Sequence, residues 1–345
     1  MIIKRILIIA ALVCFPLSAA AGMQPPEDFN TFTIYVENDS FSNTDRDYTN
    51  GVKITWSTSF QFDPRKVHLP RWSYPIINRL PFINNTSNPR AVSFSLGQNI
   101  YTPENIGQQS LIEDDRPYAG YLYFGLGFHS RTLKRKDSWE FEFGIVGPHA
   151  YAEQAQNNVH RLIGVNQANG WDNQLKDEPA FQAVYESQWR WLASKYGQKF
   201  GYDIIPHLGA HLGNVQIFAN GGAEFRVGWH LGRNFGTCPI RAGCEVNSAC
   251  SLSPDNPARP WRRKGIHLFF SVDGRMMLRD IFLDGNTFRD SHSVDKKTFV
   301  ADFMGGIGVT LGRLKATYAY VYRTRQFYQR DQGHVFGALT LSFSY

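Results

Sequence analysis

The sequence predicts an all-β fold: a transmembrane antiparallel β-barrel of about twelve strands, with a short helix in one extracellular loop. Three observations predict it. Apolar and polar residues alternate with a period of two in segment after segment, as in VFGALTLSFSY at the C-terminus. No apolar run reaches the roughly 18 residues that a membrane-spanning helix needs. The chain is nevertheless rich in aromatics (14%) and carries 30 glycines, a composition that suits strands with one face in lipid.

The chain opens MIIKRILIIAALVCFPLSAAAG. Lys4 and Arg5 precede an apolar stretch from Ile6 to Leu17, and Ala19, Ala20 and Ala21 offer a small-residue cleavage site, so residues 1–22 read as a secretory signal peptide. Cys14 lacks the small residue that precedes a lipidated cysteine. Removing the leader takes away Lys4 and Arg5 and no acid, so the formal charge falls from +6 to +4. That mildly basic balance suits an anionic surface as well as an ordinary solvated one. No nucleic-acid partner is expected, and the remaining chain, residues 23–345, is expected to be one monomeric barrel domain.

In the last strand Leu339, Leu341, Phe343 and Tyr345 alternate with Ala338, Thr340, Ser342 and Ser344, ending on an aromatic, which resembles the terminal strand of bacterial outer-membrane proteins. The pattern recurs upstream. Val92, Phe94, Leu96 and Ile100 share one face, as do Leu122, Phe124, Leu126 and Phe128. Leu268, Phe270, Val272, Met276 and Leu278 oppose His267, Ser271, Asp273, Arg275 and Arg279. Lipid accepts such an apolar face, and the polar face implies a wet or hydrogen-bonded lumen. A large soluble β-sandwich is the alternative fold.

The candidate strands lie near 31–38, 48–60, 90–101, 119–131, 138–148, 180–194, 200–215, 220–233, 264–280, 297–311, 313–325 and 335–345. An even count places both termini on the periplasmic side. The segments 39–47, 102–118, 149–179, 216–219, 281–296 and 326–334 then face outward, and 61–89, 132–137, 195–199, 234–263 and 312 face the periplasm. Cys238, Cys244 and Cys250 fall in one periplasmic connection, where one disulfide and one leftover thiol are expected; no ligand spacing supports zinc.

Two stretches carry chemistry. In AYAEQAQNNVHRLIG, Ala152, Ala155, Val159, Leu162 and Ile163 form an apolar stripe at helical spacing, while Glu153, Gln156 and His160 fall on another face and Gly164 suits the helix end. In TIYVENDSF, Glu37, Asn38 and Asp39 sit where the first strand meets its loop. The strand count puts both stretches outside, so the acidic pair and His160 can meet. A carboxylate beside a histidine orients it and raises its basicity, as a general base requires, and carboxylate and amide oxygens suit a hard cation such as calcium. The plain alternatives are a loop histidine and an Asn-Asp turn. Regular alternation would turn Asn38 to lipid and Asp39 inward, so a distortion is expected over residues 37–40.

VENDSF and DRDYTNG (36–41, 45–51), DDRPYAGYLY (114–123), GIVGPHA (144–150), QNNVH (156–160) and GWDNQLKDEP (170–179) together resemble the outer-membrane lipid A 3'-O-deacylases, in order and along most of the barrel. The resemblance implies a twelve-stranded barrel in the bacterial outer membrane, with its site at the outer rim between the wall and a loop helix. It implies calcium-dependent hydrolysis of the ester holding the 3'-acyloxyacyl group on lipid A, without an acyl-enzyme. Carried over, His160 is the general base, Asp39 orients it, Gln156 positions water or substrate, and Asn38 ligates Ca2+. Where the family has a carboxylate after the histidine, this chain has Asn166, a weaker ligand, with Glu153 or Asp172 as compensating acids. The family's hydroxyl and lysine have candidates in Ser57 and Lys53, which share a face of the second strand. Arg116 and Tyr118 fit either a lipid A phosphate or closure of the outer loop. Trp171 reads as loop packing, and Asp177 with Glu178 as a solvated loop. The alternatives in function are an outer-membrane phospholipase A-type esterase, whose serine–histidine pair has here only His129-Ser130 on the wrong side, and a passive porin or structural barrel.

Overall fold

The computed structural model describes residues 30–39, 47–61, 74–194, 199–232, 234–237 and 264–345. The expected signal peptide and the three periplasmic cysteines lie outside them. Twelve strands form one closed antiparallel barrel: β1 (Thr31–Asn38), β2 (Asp47–Ser57), β3 (Arg90–Thr102), β4 (Ala119–Arg131), β5 (Arg135–Val146), β6 (Glu178–Trp189), β7 (Phe200–Gly213), β8 (Gln216–Trp229), β9 (Lys264–Asp280), β10 (Phe299–Leu311), β11 (Leu314–Arg323) and β12 (His334–Ser344). Each strand pairs with its chain neighbours, and β12 closes on β1 with Thr31 opposite Ser344 and Asn38 opposite Gly337. Three short helices join them: α1 (Tyr74–Ile77), α2 (Ala152–Ile163) and α3 (Ile281–Asp284). Among the described residues no helix is long and apolar enough to cross a membrane; the strands do the crossing.

Alternation decides which way each side chain points. Trp56, Phe94, Phe124, Phe143, Phe225 and Phe270 are exposed on the outer face. Their neighbours, such as Thr55, Ser93, Ser95, Glu142 and Glu224, are buried in the lumen. β5 starts three residues earlier than its apolar pattern does. Lys136 points into the lumen, and Asp137 is held by Arg135 at 2.7 Å and by the Tyr185 hydroxyl at 2.7 Å, so a charged run is accommodated within a strand.

The lumen is filled by paired charges. Lys53 Nζ lies 3.1 Å from Glu140 Oε1, which also accepts from Ser95 Oγ. His207 meets Asp273 at 2.8 Å, Arg226 clasps Asp203 with two bonds, and Asp302 accepts from both Arg323 and Arg275. Hydroxyls line the closing seam, where Thr33 donates to Ser342 at 3.1 Å. Residues 234–237, expected on the periplasmic side, instead turn up into the barrel. Arg190 and Arg226 donate to Asn234, the Thr237 N–H donates to Glu224, and Phe235 lines a central cavity of about 130 Å³ with Glu37 and Glu142. The reason is electrostatic: the buried carboxylates and guanidiniums there need more partners than the strands provide.

The Lys53–Glu140 pair makes a test. Lys53→Met leaves Glu140 as an uncompensated buried charge and is expected to cost about 3–5 kcal/mol in urea unfolding of the barrel in detergent. Lys53→Met/Glu140→Leu is expected to cost less than the single change, because both charges leave together.

Candidate active site at the outer rim

The outer face of the wall changes character near the ends of β1 to β4. Asn38 pairs with Asn50, Asn50 with Ile100, and Ile100 with Gly120, so these four form one lateral row on the lipid-facing side. Two amides thus stand where the alternation elsewhere places apolar residues. β1 keeps its register through Asn38, then leaves the strand at Asp39, which sits in a helical turn and is fully buried. Glu37 faces the lumen, as alternation demands. The strand ends at Asn38, within the stretch where a distortion is expected, and β2 carries a register shift between Tyr48 and Asn50 directly across from it.

Helix α2 lies against this row from outside. Gly120 permits it: a Cβ there would stand 2.5 Å from Ala152 Cβ. Gln98 Nε2 donates to the Ala150 carbonyl at 2.6 Å, and Ile100, Tyr118, Ala152, Ala168 and Trp171 form one buried cluster. Gly164 (φ 78°) ends the helix in the left-handed conformation, its N–H on the His160 carbonyl. The buried stripe of α2 is Ala152, Gln156 and His160, at i, i+4 and i+8, while Val159 and Leu162 are exposed. A helix between a barrel wall and lipid has no aqueous side near the membrane, so its polar stripe turns inward.

His160 is 5% exposed, and its Nδ1 lies 2.6 Å from the Asn166 carbonyl oxygen. A carbonyl can only accept, so Nδ1 carries the proton and Nε2 keeps the lone pair. Gln156 is 3% exposed; its Oε1 accepts from Trp171 Nε1 at 3.1 Å, and its Nε2 has no hydrogen-bond partner among the described residues. Asn157 ties the following loop to the helix by accepting from the Ala168 N–H at 3.0 Å. Glu153 is half-buried one turn before Gln156, and Asn166 is exposed, meeting His160 through its main chain. With strands about 4.8 Å apart, Asn38 on β1 stands roughly 10 Å from β3, against which α2 packs. Asn38 and the helix that carries Gln156 and His160 therefore lie on the outer side of the same rim.

Other expectations are redirected. Lys53 and Ser57 do share a face, but it is the lumen, across the wall from His160, because both lie opposite in parity to Asn50. Arg116 is buried, donates to Gln326 at 3.0 Å and lies over the Tyr101 and Phe327 rings, and the Tyr118 hydroxyl donates to the Ile106 carbonyl, so both close the outer loops. Trp171 packs on Tyr118 with ring centroids 4.9 Å apart. Glu178 is no solvated acid: it is buried and accepts from Thr287 N–H at 2.7 Å and Asn214 Nδ2 at 2.9 Å. His129 is buried in the lumen between Ser93 and Ser138, toward the periplasmic end. Sequence reasoning missed Asn50, whose signal was its place across from Asn38. Among the described residues no three His, Cys, Asp or Glu side chains converge on one point, so amide oxygens would have to supply part of the coordination of any ion here.

The family model described as outer membrane protein LpxR matches residues 6–345, and the chain belongs to that family. It is an outer-membrane β-barrel. Among solved structures, LpxR from Salmonella typhimurium matches with a TM-score of 0.71 at 18% identity, over 91% of this chain and 100% of that one, which shows the shared fold. The beta domain of the Bordetella autotransporter Brka matches at 0.44 with 6% identity, over 93% of this chain and 99% of that one. No curated protein matches the chain.

The loop that carries α2 is pinned by Asp177, which accepts from the His149 N–H at 2.9 Å and meets its Nδ1 at 2.5 Å. Partial burial raises the Asp177 pKa, but the His149 bonds outweigh it and hold it below the usual 3.8. A depressed carboxylate stabilises the fold fully above its unfolded value and loses that contribution as pH falls through its folded one. The protection of the amides at residues 147–151, corrected for their intrinsic exchange rates, is therefore expected to fall as pH is lowered below about 4. In Asp177→Asn protection is expected to be low already at neutral pH, with no further step on acidification.

Proposed function

We propose that the outer-rim site hydrolyses the ester that joins the 3'-acyloxyacyl group to lipid A in the outer leaflet. The observation that carries this reading is the buried His160, its Nδ1 proton held by the Asn166 carbonyl, on the lipid-facing side of the wall beside a buried amide with hydrogen-bonding capacity to spare. Such a histidine is built to take a proton at Nε2. Gln156 is fixed at its oxygen by Trp171, so its NH2 is aimed rather than free to flip, and it can hold water or a substrate oxygen.

In the proposed reaction His160 Nε2 removes a proton from water, and the hydroxide adds to the ester carbonyl. The tetrahedral intermediate collapses with cleavage of the bond to the sugar oxygen. His160 returns the proton to that oxygen, releasing a 3'-hydroxyl and a free acyloxyacyl carboxylate. Asp39, buried at the strand end, keeps the rim electronegative and supports the imidazolium that forms between the two transfers. Exposed Val159 and Leu162 and the apolar wall exclude water from the flanks of the site.

The residues fit a hard cation such as Ca2+. Asn38 and Asn50 are cross-strand neighbours, Asn50 Oδ1 is a buried oxygen with no hydrogen-bond partner among the described residues, and Asp39 adds a carboxylate. Glu153 and the Asn166 side chain are the further ligands we propose. When bound, the ion would supply electrostatic stabilisation of the oxyanion. A pore is disfavoured by the ion pairs and the 234–237 segment that fill the lumen, and a serine esterase by the lumenal position of His129.

Mass spectrometry of lipid A from cells expressing the wild type is expected to show loss of one 3'-acyloxyacyl group, with the rate falling about 10²–10⁴-fold in His160→Ala and on calcium chelation. An unchanged lipid A mass with the barrel folded in the outer membrane defeats the reading. Trp171→Phe keeps an aromatic side chain at the position and removes the indole N–H; kcat is expected to fall at least roughly 3- to 10-fold, the worth of one hydrogen bond, with the pH profile unmoved.

A further inference from the structure

On the wall away from α2, the outer third of β7 to β10 is hollowed. Leu208 pairs with Gly221, Gly221 with Gly274, and Gly274 with Ala301, which is bonded in turn to Thr324. The row above it runs Ala210, Ala219, Met276, Phe299. All of these point outward, so the small residues form the floor of a groove and Leu208, Met276 and Phe299 its walls, around an open volume of about 650 Å³. Lower on the same strands the outer face is bulky, with Phe225, Phe270 and Phe303.

The glycine at the centre has no internal cause. A Cβ at Gly274 would meet only the Gly221 carbonyl, at 3.6 Å, an ordinary contact, and its φ is not in the left-handed region. Glycine inside a strand weakens it, and where the barrel does not require one it marks a place where something else approaches closely. The charges at the outer end of the groove say what. Lys297 stands just before β10, 4.0 Å over the exposed Tyr328 ring, and Arg325 just after β11 is exposed; both line the groove, and neither makes an ion pair among the described residues. Lys296 next door is paired with Asp284 at 2.9 Å, and Arg323 with Asp302. Two unpaired cations at headgroup height above an apolar groove in the outer leaflet complement an anionic lipid.

We propose that this groove binds one molecule of lipid A as a resident lipid, an acyl chain on the Gly221–Gly274–Ala301 floor and a phosphate on Lys297 and Arg325. This is separate from the hydrolytic site and goes beyond it.

The test counts lipids. The full barrel carrying His160→Ala, so that no ester is consumed, is purified in detergent with added lipid A and examined by native mass spectrometry. Gly274→Leu, which fills the groove from outside, and Lys297→Ala/Arg325→Ala are each added to that background, with heat-dependent gel mobility confirming closed barrels. Each is expected to retain one lipid A fewer, with occupancy of that molecule down at least tenfold. Lipid A stripped of its phosphates is expected to lose the same molecule. Equal retention in all variants overturns the proposal, as does equal competition by phosphatidylglycerol at the same concentration. A barrel dimer that Gly274→Leu dissolves also overturns it, in favour of a second copy as occupant. On the His160 background Gly274→Leu is expected to release acyloxyacyl groups within twofold of wild type, so failure of the groove and failure of the deacylase reading are read separately.

Discussion

Every backbone N–H and C=O in the membrane has to find a partner within the protein, because lipid offers none. A closed barrel meets that demand, and the rest of this structure follows from closing it. Once β12 pairs with β1, each residue has two places to go, lipid or lumen, and alternation assigns them without appeal. Twelve strands leave a lumen narrow enough that side chains fill most of it. The buried charges there are tolerable because Lys53 has Glu140, Arg226 has Asp203, and Asp302 has two arginines. The inward turn of residues 234–237 belongs to the same accounting, since Glu224 needs the Thr237 N–H and Arg226 needs Asn234.

A site that acts on a membrane lipid must break this rule on the lipid side without exposing bare polar groups to hydrocarbon. The site proposed for this barrel would do so at the rim, where the cost is lowest. Asn38, Asn50 and Gln98 occupy outward positions, and α2 is laid over the neighbouring wall at β3 and β4 with its polar stripe turned inward. The histidine is thus buried although it is outside the barrel. Its tautomer is set by a main-chain carbonyl, which no titration of a neighbouring carboxylate can remove.

Much of this was legible from the sequence. The two-residue period located all twelve strands, since lipid demands an unbroken apolar face, and the helical spacing located α2 with its Gly164 stop. What was not legible shares a cause: a period of two tells faces apart but does not say which polar residues a third element will cover. Lys53 and Ser57 match the family's lysine and hydroxyl by type, but they alternate with Val52, Ile54 and Trp56 and so face the lumen. The start of β5 was hidden because Arg135, Lys136 and Asp137 look like a loop until Tyr185 is placed across from them. Glu178 looked solvated because its four donors come from more than thirty residues away. Asn166 was read by its side chain, whereas its carbonyl makes the contact with His160.

Glycine shows how the same residue carries opposite arguments on one surface. Gly120 is demanded by the protein itself, because a methyl there would drive Ala152, and with it the helix bearing His160, off the wall. Gly274 is demanded by nothing in the protein, since the space above it is open and a side chain there would add apolar contact with lipid and strand propensity besides. On a lipid-facing wall the default is a large apolar residue, and a departure from it needs an occupant. At β3 and β4 the occupant is a segment of the chain. At β8 and β9 no described part of the chain fills the space, and the cations above it are of the sign that a phosphorylated lipid would meet.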